Sequence, residues 1–135
     1  MDHETRRLVQ HAWTEIMKDQ KAAADHFYST LFELDPSVQY LFKGDMEQQK
    51  ERLMEMFSVA VRGLDQLDAI GEPMARLGER HASYGVREEY YDLMGQAFLA
   101  MARKTLGDRL NPETEAAFQV TYAFLASAMK DGARS

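Results

Sequence analysis

The chain has no cysteine. That excludes disulfides, thiolate catalysis, cysteine-ligated zinc, iron–sulfur clusters and C-x-x-C-H attachment of a cofactor. Proline is scarce, with three in 135 residues, so few positions force a helix to stop. No apolar run approaches the roughly 18 residues that a membrane span needs. The opening MDHETRRLVQ lacks the apolar middle of a signal peptide, so the expected location is the cytoplasm. Basic residues are in deficit, 16 Lys and Arg against 22 Asp and Glu, for a net charge of −6. Nucleic acid and anionic membrane both attract basic surfaces, so neither is an expected partner.

What is present is helical periodicity, almost everywhere. One domain is expected over 1–135, large enough to bury a core without staples. Residues 5–18 place Leu8, Val9, Ala12, Trp13, Ile16 and Met17 on one face. Residues 21–34 do the same with Ala24, Phe27, Tyr28, Leu31 and Leu34, until Asp35-Pro36 breaks the chain. A short turn is expected through SVQYLF. The longest helix is expected over 46–70, ended by Gly71-Glu72-Pro73, with Pro73 opening the next. That helix reaches Ser83 or Tyr84 and is capped by Gly85. Residues 88–106 and a final helix from Asn111-Pro112 to about Lys130 complete an all-α chain, with 131–135 expected to fray. There is no strand alternation, internal repeat or low-complexity tract.

Polar residues on apolar faces carry the information in such a chain, because burying one unpaired costs about 1–3 kcal/mol. His3, His11 and His26 read as solvated. His81 does not: Met74, Leu77, His81 and Tyr84 run down one line of a helix whose other side holds Arg76, Glu79, Arg80 and Ser83. A core histidine bonded to a backbone carbonyl is one reading, and a metal ligand is the other. A metal held by protein alone needs three or four ligands. The sequence offers no H-E-x-x-H, no second inward histidine and no buried acidic cluster. If His81 binds metal, another molecule supplies the remaining ligands, as haem does with four pyrrole nitrogens. A haem also needs an apolar wall on its other face, which the long helix offers: Gln49, Leu53, Met56, Phe57, Ala60 and Leu64 share a face on which Gln49 alone is polar. Tyr28 adds a phenol on the inward face of the second helix.

At these residues the sequence resembles single-domain bacterial globins and the haem domain of flavohaemoglobins, in order along nearly the whole chain. Trp13 stands where the first helix of that group often carries tryptophan. FYSTLFELDPSVQYLF is similar to its second helix, its proline-started third helix (here Pro36) and the corner phenylalanine. LGERHASYGV is similar to the proximal helix, and REEYYDLMGQAFLA to the helix that follows. The resemblance implies a globin fold, a three-over-three helical sandwich around non-covalent haem b. It makes His81 the proximal iron ligand, Phe42 the phenylalanine packed on the haem, and Gln49 and Leu53 the distal residues with Tyr28. Phe57, Met74, Leu77, Tyr84 and Val86 would line the cofactor, and Tyr91 matches the proximal-side tyrosine. The group's last helix also carries a glutamate bonded to the proximal histidine; here that place falls at or near Ala133.

The implied activity is reversible binding of O2, NO and other diatomic gases at five-coordinate iron, with tight O2 binding through Tyr28 and Gln49. Nitric oxide dioxygenation, with Tyr28 and Tyr91 as its candidate catalytic residues, would need electrons from a separate reductase, since no flavin-binding domain follows. Two rivals stand beside it: a haem-based gas sensor, and a haem-free globin-fold interaction module.

Overall fold

A computed structural model describes residues 2–134, without the side chains of 67–69. Six α-helices are linked by short turns: α1 (His3–Met17), α2 (Gln20–Leu34), α3 (Met46–Arg62), α4 (Leu67–Ser83), α5 (Tyr90–Leu106) and α6 (Pro112–Ala133). Single 3-10 turns occupy Pro36–Leu41, Gly63–Gln66 and Gly107–Arg109. Among the described residues there is no strand, and no helix is long and apolar enough to cross a membrane.

The helix starts follow side-chain chemistry. Asp2, Asp45 and Asn111 each accept from a backbone N–H of the first turn, at Thr5, Glu47 and Thr114. Those bonds satisfy donors that have no intrahelical partner. Asp35 does the same for Ser37 ahead of the turn that Pro36 opens.

The most extensive packing pairs α4 with α6 and α2 with α5, while α1 lies on α6 and α3 lies on α2. Helices α1, α3 and α4 thus form one layer and α2, α5 and α6 the other, with apolar faces turned inward. Phe98 and Phe118, both fully buried, mark the centre. Trp13 stacks over Phe98 at 6.4 Å and donates its indole N–H to Ser58 Oγ at 3.0 Å. Ser58 in turn donates to Met17 Sδ. The buried indole is therefore satisfied, and it ties α1 to α3.

Four boundaries differ from the sequence reading. The long helix ends at Arg62 rather than residue 70, and α4 runs through Gly71 and Pro73. The break falls at Gly63 because Ile70 packs onto it; a Cβ there would sit 2.2 Å from the Ile70 Cγ2 methyl. Gly71 has nothing within 4 Å of such a Cβ. The decisive glycine serves a tertiary contact, which local breaker strength does not report. Helix α5 begins at Tyr90 rather than residue 88, with Glu88 and Glu89 in the turn before it. Helix α6 runs past Lys130 to Ala133, with Gly132 buried, while Ser135 lies outside the described residues. Leu34 and Tyr84, read as inward, stand 43% and 69% exposed. Both sit at the ends of their helices, where the helical register no longer aims a side chain at the core.

Candidate functional site

Helix α4 presents His81 in its last turn. The imidazole is half-buried, and Nδ1 lies 2.9 Å from Leu77 O, one turn earlier. Burial holds the ring below its ordinary pKa near 6.5, an effect the Leu77 carbonyl only partly opposes and the Arg80 charge reinforces. The ring is therefore neutral at pH 7. A carbonyl can only accept, so the one ring proton sits on Nδ1 and Nε2 keeps its lone pair. This is the tautomer a metal-ligating histidine needs, with its second nitrogen fixed by a backbone acceptor.

A second cluster forms where α2, the 3-10 turn after it and α3 meet. Tyr28 is 3% exposed. Its ring meets Phe27 edge-on at 5.2 Å and Phe42 edge-on at 5.3 Å, with Phe32 at 5.9 Å. Burial raises the phenol pKa, and a side-chain hydrogen bond from Gln49 opposes the rise. Tyr28 is thus protonated at neutral pH. The structure therefore places Phe42 directly against Tyr28, with Gln49 close enough to act on its phenol.

Gly85 joins this corner to the His81 turn. It has φ of 95°, a left-handed conformation glycine tolerates, and it reverses the chain at the end of α4. A Cβ at that position would sit 3.7 Å from Leu41, the neighbour of Phe42. Val86 N donates to His81 O at 3.0 Å, closing the turn. Nearby, Tyr40 Oη and Tyr90 Oη lie 3.5 Å apart, and Arg87 donates to Tyr90 Oη at 3.2 Å. The second corner of the site was not read from the sequence: Tyr40, Arg87 and Tyr90 carry no periodic signal that relates them.

The remaining expected residues divide by burial. Leu53, Phe57, Leu77 and Val86 are half-buried apolar residues packed against the core, and Met74 is 3% exposed. Phe57 also belongs to the aromatic centre, 4.7 Å from Phe98 and 5.9 Å from Trp13 and Phe27. Tyr84 faces solvent and does not join them. Tyr91 is 2% exposed, and its hydroxyl is enclosed with no hydrogen-bond partner. Burial raises its pKa, and the Glu88 charge adds to the rise. Tyr122 donates to the Tyr91 carbonyl at 2.7 Å, which anchors α5 to α6 at this point. Ala133, where a glutamate was the comparison, offers no polar atom toward His81, so Leu77 O is the acceptor its ring is shown to have.

Among the described residues no group of three or more His, Cys, Asp or Glu could hold a metal ion. One neutral imidazole nitrogen with half-buried apolar neighbours is a different donor. It fits a planar metal complex that brings four ligands of its own and needs one more.

Two packed layers of helices, with a neutral histidine on α4 and a buried phenol on α2, define an all-α sandwich. The globin family model matches residues 25–129. The chain belongs to the globin family, a membership that implies a haem cofactor and a diatomic gas as ligand. It is 26% identical over 132 residues to the flavohemoprotein of Chromobacterium violaceum, covering 96% of this chain and 33% of that protein. The flavohemoprotein of Halalkalibacterium halodurans is 25% identical over 129 residues, covering 93% of this chain and 31% of that one. The chain thus spans about a third of the curated relatives it matches. Among solved structures, a bacterial globin from Campylobacter jejuni matches with a TM-score of 0.85 and 21% identity, covering 98% of this chain and 96% of that one. An engineered carbene transferase from Rhodothermus marinus, described as a nitric oxide dioxygenase, matches with a TM-score of 0.88 and 24% identity, covering 99% and 94%.

Proposed function

We propose that this globin binds O2 and NO reversibly at a haem b held by His81, with Tyr28 and Gln49 as hydrogen-bond donors on the ligand side. The observation that carries it is the neutral His81 ring with Nδ1 on Leu77 O, which leaves Nε2 unprotonated and free to ligate. When bound, the haem supplies a redox-active iron with one open coordination position.

The chain's own residues decide what happens there. His81 supplies the fifth ligand, and Leu77 O fixes its ring plane. Phe42, packed edge-on against Tyr28, and Leu53 exclude water from the distal side. Tyr28 holds its proton toward the ligand position, and Gln49 orients the phenol by donating to its oxygen. Glutamine is a poor iron ligand, so the resting haem is expected to be five-coordinate, without an endogenous distal histidine. Met74, Leu77 and Val86 line the proximal side. Tyr91, with its buried and unpartnered hydroxyl, is assigned a supporting place there.

Nitric oxide dioxygenation is the catalytic extension of the same site. The flavohemoprotein relatives and the description of the Rhodothermus marinus protein support it. Turnover would draw electrons from a reductase. A backbone carbonyl is a weaker acceptor than a carboxylate, so His81 pushes less electron density toward the iron than a carboxylate-bonded histidine would. That favours ligand binding over turnover.

The test is direct. Purified protein supplied with haem should show a Soret band of a five-coordinate histidine-ligated haem, lost in His81→Ala. A chain that stays colourless with haem present would refute the reading in favour of a haem-free module. A low-spin bis-histidine spectrum would refute the distal assignment.

A further inference from the structure

We propose that Gly78 and Gly132 are positioning residues that set how far His81 reaches toward the haem iron, an inference that rests on the haem reading above. Helices α4 and α6 make the most extensive packing in the molecule. At their crossing the two backbones touch. A Cβ built on Gly78 would lie 1.9 Å from Met129 O, and one built on Gly132 would lie 1.9 Å from Ala75 O. Both obstacles are backbone atoms, so no side-chain rotation relieves them. The arrangement is reciprocal: each glycine sits against the residue one turn before the other glycine.

His81 lies one turn beyond Gly78 on the same helix. Leu77, whose carbonyl holds the His81 ring at 2.9 Å, is the residue next to Gly78. The crossing therefore clamps a single short segment that carries both the imidazole and its acceptor. Glycine inside a helix is less favourable than alanine, so closeness is what the two glycines provide. A methyl at either position must open the crossing by about 1.5 Å to reach ordinary contact at 3.4 Å. Because the ring and its acceptor ride on one segment, that opening changes the reach of Nε2 and leaves the Nδ1–Leu77 bond intact. The Arg134–Glu88 ion pair sits beside Gly132 and holds the end of α6 to the start of α5.

Gly78→Ala and Gly132→Ala test this in the full chain, with Gly71→Ala as the control. Gly71 is in the same helix with nothing within 4 Å of its Cβ position. Each haem-loaded ferrous protein is read by the iron–histidine stretching band in resonance Raman, and each apoprotein by the nitrogen NMR shifts of His81. The two crossing variants should move the stretching band and change the O2 dissociation rate by on the order of tenfold. The NMR shifts should still report the Nδ1–H tautomer, and Gly71→Ala should match the wild type. An unmoved band in both crossing variants would overturn the positioning role while leaving the haem reading in place. A wild-type chain that takes up no haem would overturn the haem reading itself. Failure of both crossing variants to fold, with Gly71→Ala folded, would also overturn positioning and assign the glycines a purely structural role.

Discussion

Replacing Tyr28 with phenylalanine separates the chemistry of this site from its packing. The ring is 3% exposed, and its contacts with Phe27, Phe32 and Phe42 at 5.2–5.9 Å are all ring contacts that phenylalanine keeps. Only the hydroxyl is lost, and with it the influence of Gln49 on the phenol. Half-buried Gln49 can turn to water. Stability should therefore change by no more than about 1 kcal/mol. O2 release should respond far more, because bound dioxygen carries partial negative charge. A hydrogen bond to a charged group is worth about 1.5–3 kcal/mol. At 1.36 kcal/mol per decade, that is a dissociation rate roughly 10- to 150-fold faster. Stopped-flow displacement of O2 by CO, with urea unfolding measured in parallel, checks both halves. Gln49→Leu alone should have a smaller effect than Tyr28→Phe. In the double variant the two effects should not add, because the amide both orients the phenol and shares its ligand. An O2 dissociation rate unchanged in Tyr28→Phe would refute the donor role. Strictly additive effects would refute the orienting role of Gln49.

Three further outcomes are expected. Ser58→Ala leaves the buried Trp13 indole N–H without its 3.0 Å acceptor, and should cost about 1–3 kcal/mol in chemical denaturation. Asn111→Ala removes the 2.8 Å cap on Thr114 N; it should cost about 0.5–2 kcal/mol, read as a lower melting temperature. Glu88 is held below its ordinary pKa by the Arg134 guanidinium. Its contribution is therefore present above about pH 4.5 and lost as the pH falls through the lowered folded-state value. Glu88→Gln should lower the urea midpoint slightly at pH 7, and the difference from wild type should shrink as the pH is lowered below about 4.5, with added salt narrowing the pH 7 difference because the pair is exposed.

The elements that the sequence placed well are those whose signals are local. Asp35-Pro36 and Asn111-Pro112 carry their caps and first-turn prolines within a few residues, and both stand where expected. Trp13, Phe27 and Leu31 follow the helical period onto buried faces. The end of the long helix was misread, because Gly71-Pro73 is the stronger local breaker. Gly63 instead answers to Ile70, seven residues on and packed across the turn. The end of α6 was misread for a related reason. DGARS is polar and small, yet Gly132 is buried because the α4 backbone lies against it.

Composition and period alone make the chain all-α, acidic and free of cysteine, with one histidine on an apolar face and a phenol and an amide on the inward faces of two other helices. Those are properties of composition and of a 3.6-residue period, which any window of the chain displays. The tertiary structure decided the state of those groups. It put the His81 proton on Nδ1 by supplying Leu77 O, and it kept the ring neutral by burying it. It also paired Tyr28 with Gln49 across two helices, turned Tyr84 out to solvent, and pressed Gly78 and Gly132 into one crossing. Burial and long-range backbone contact depend on which helices meet, and no local pattern encodes how closely two backbones approach.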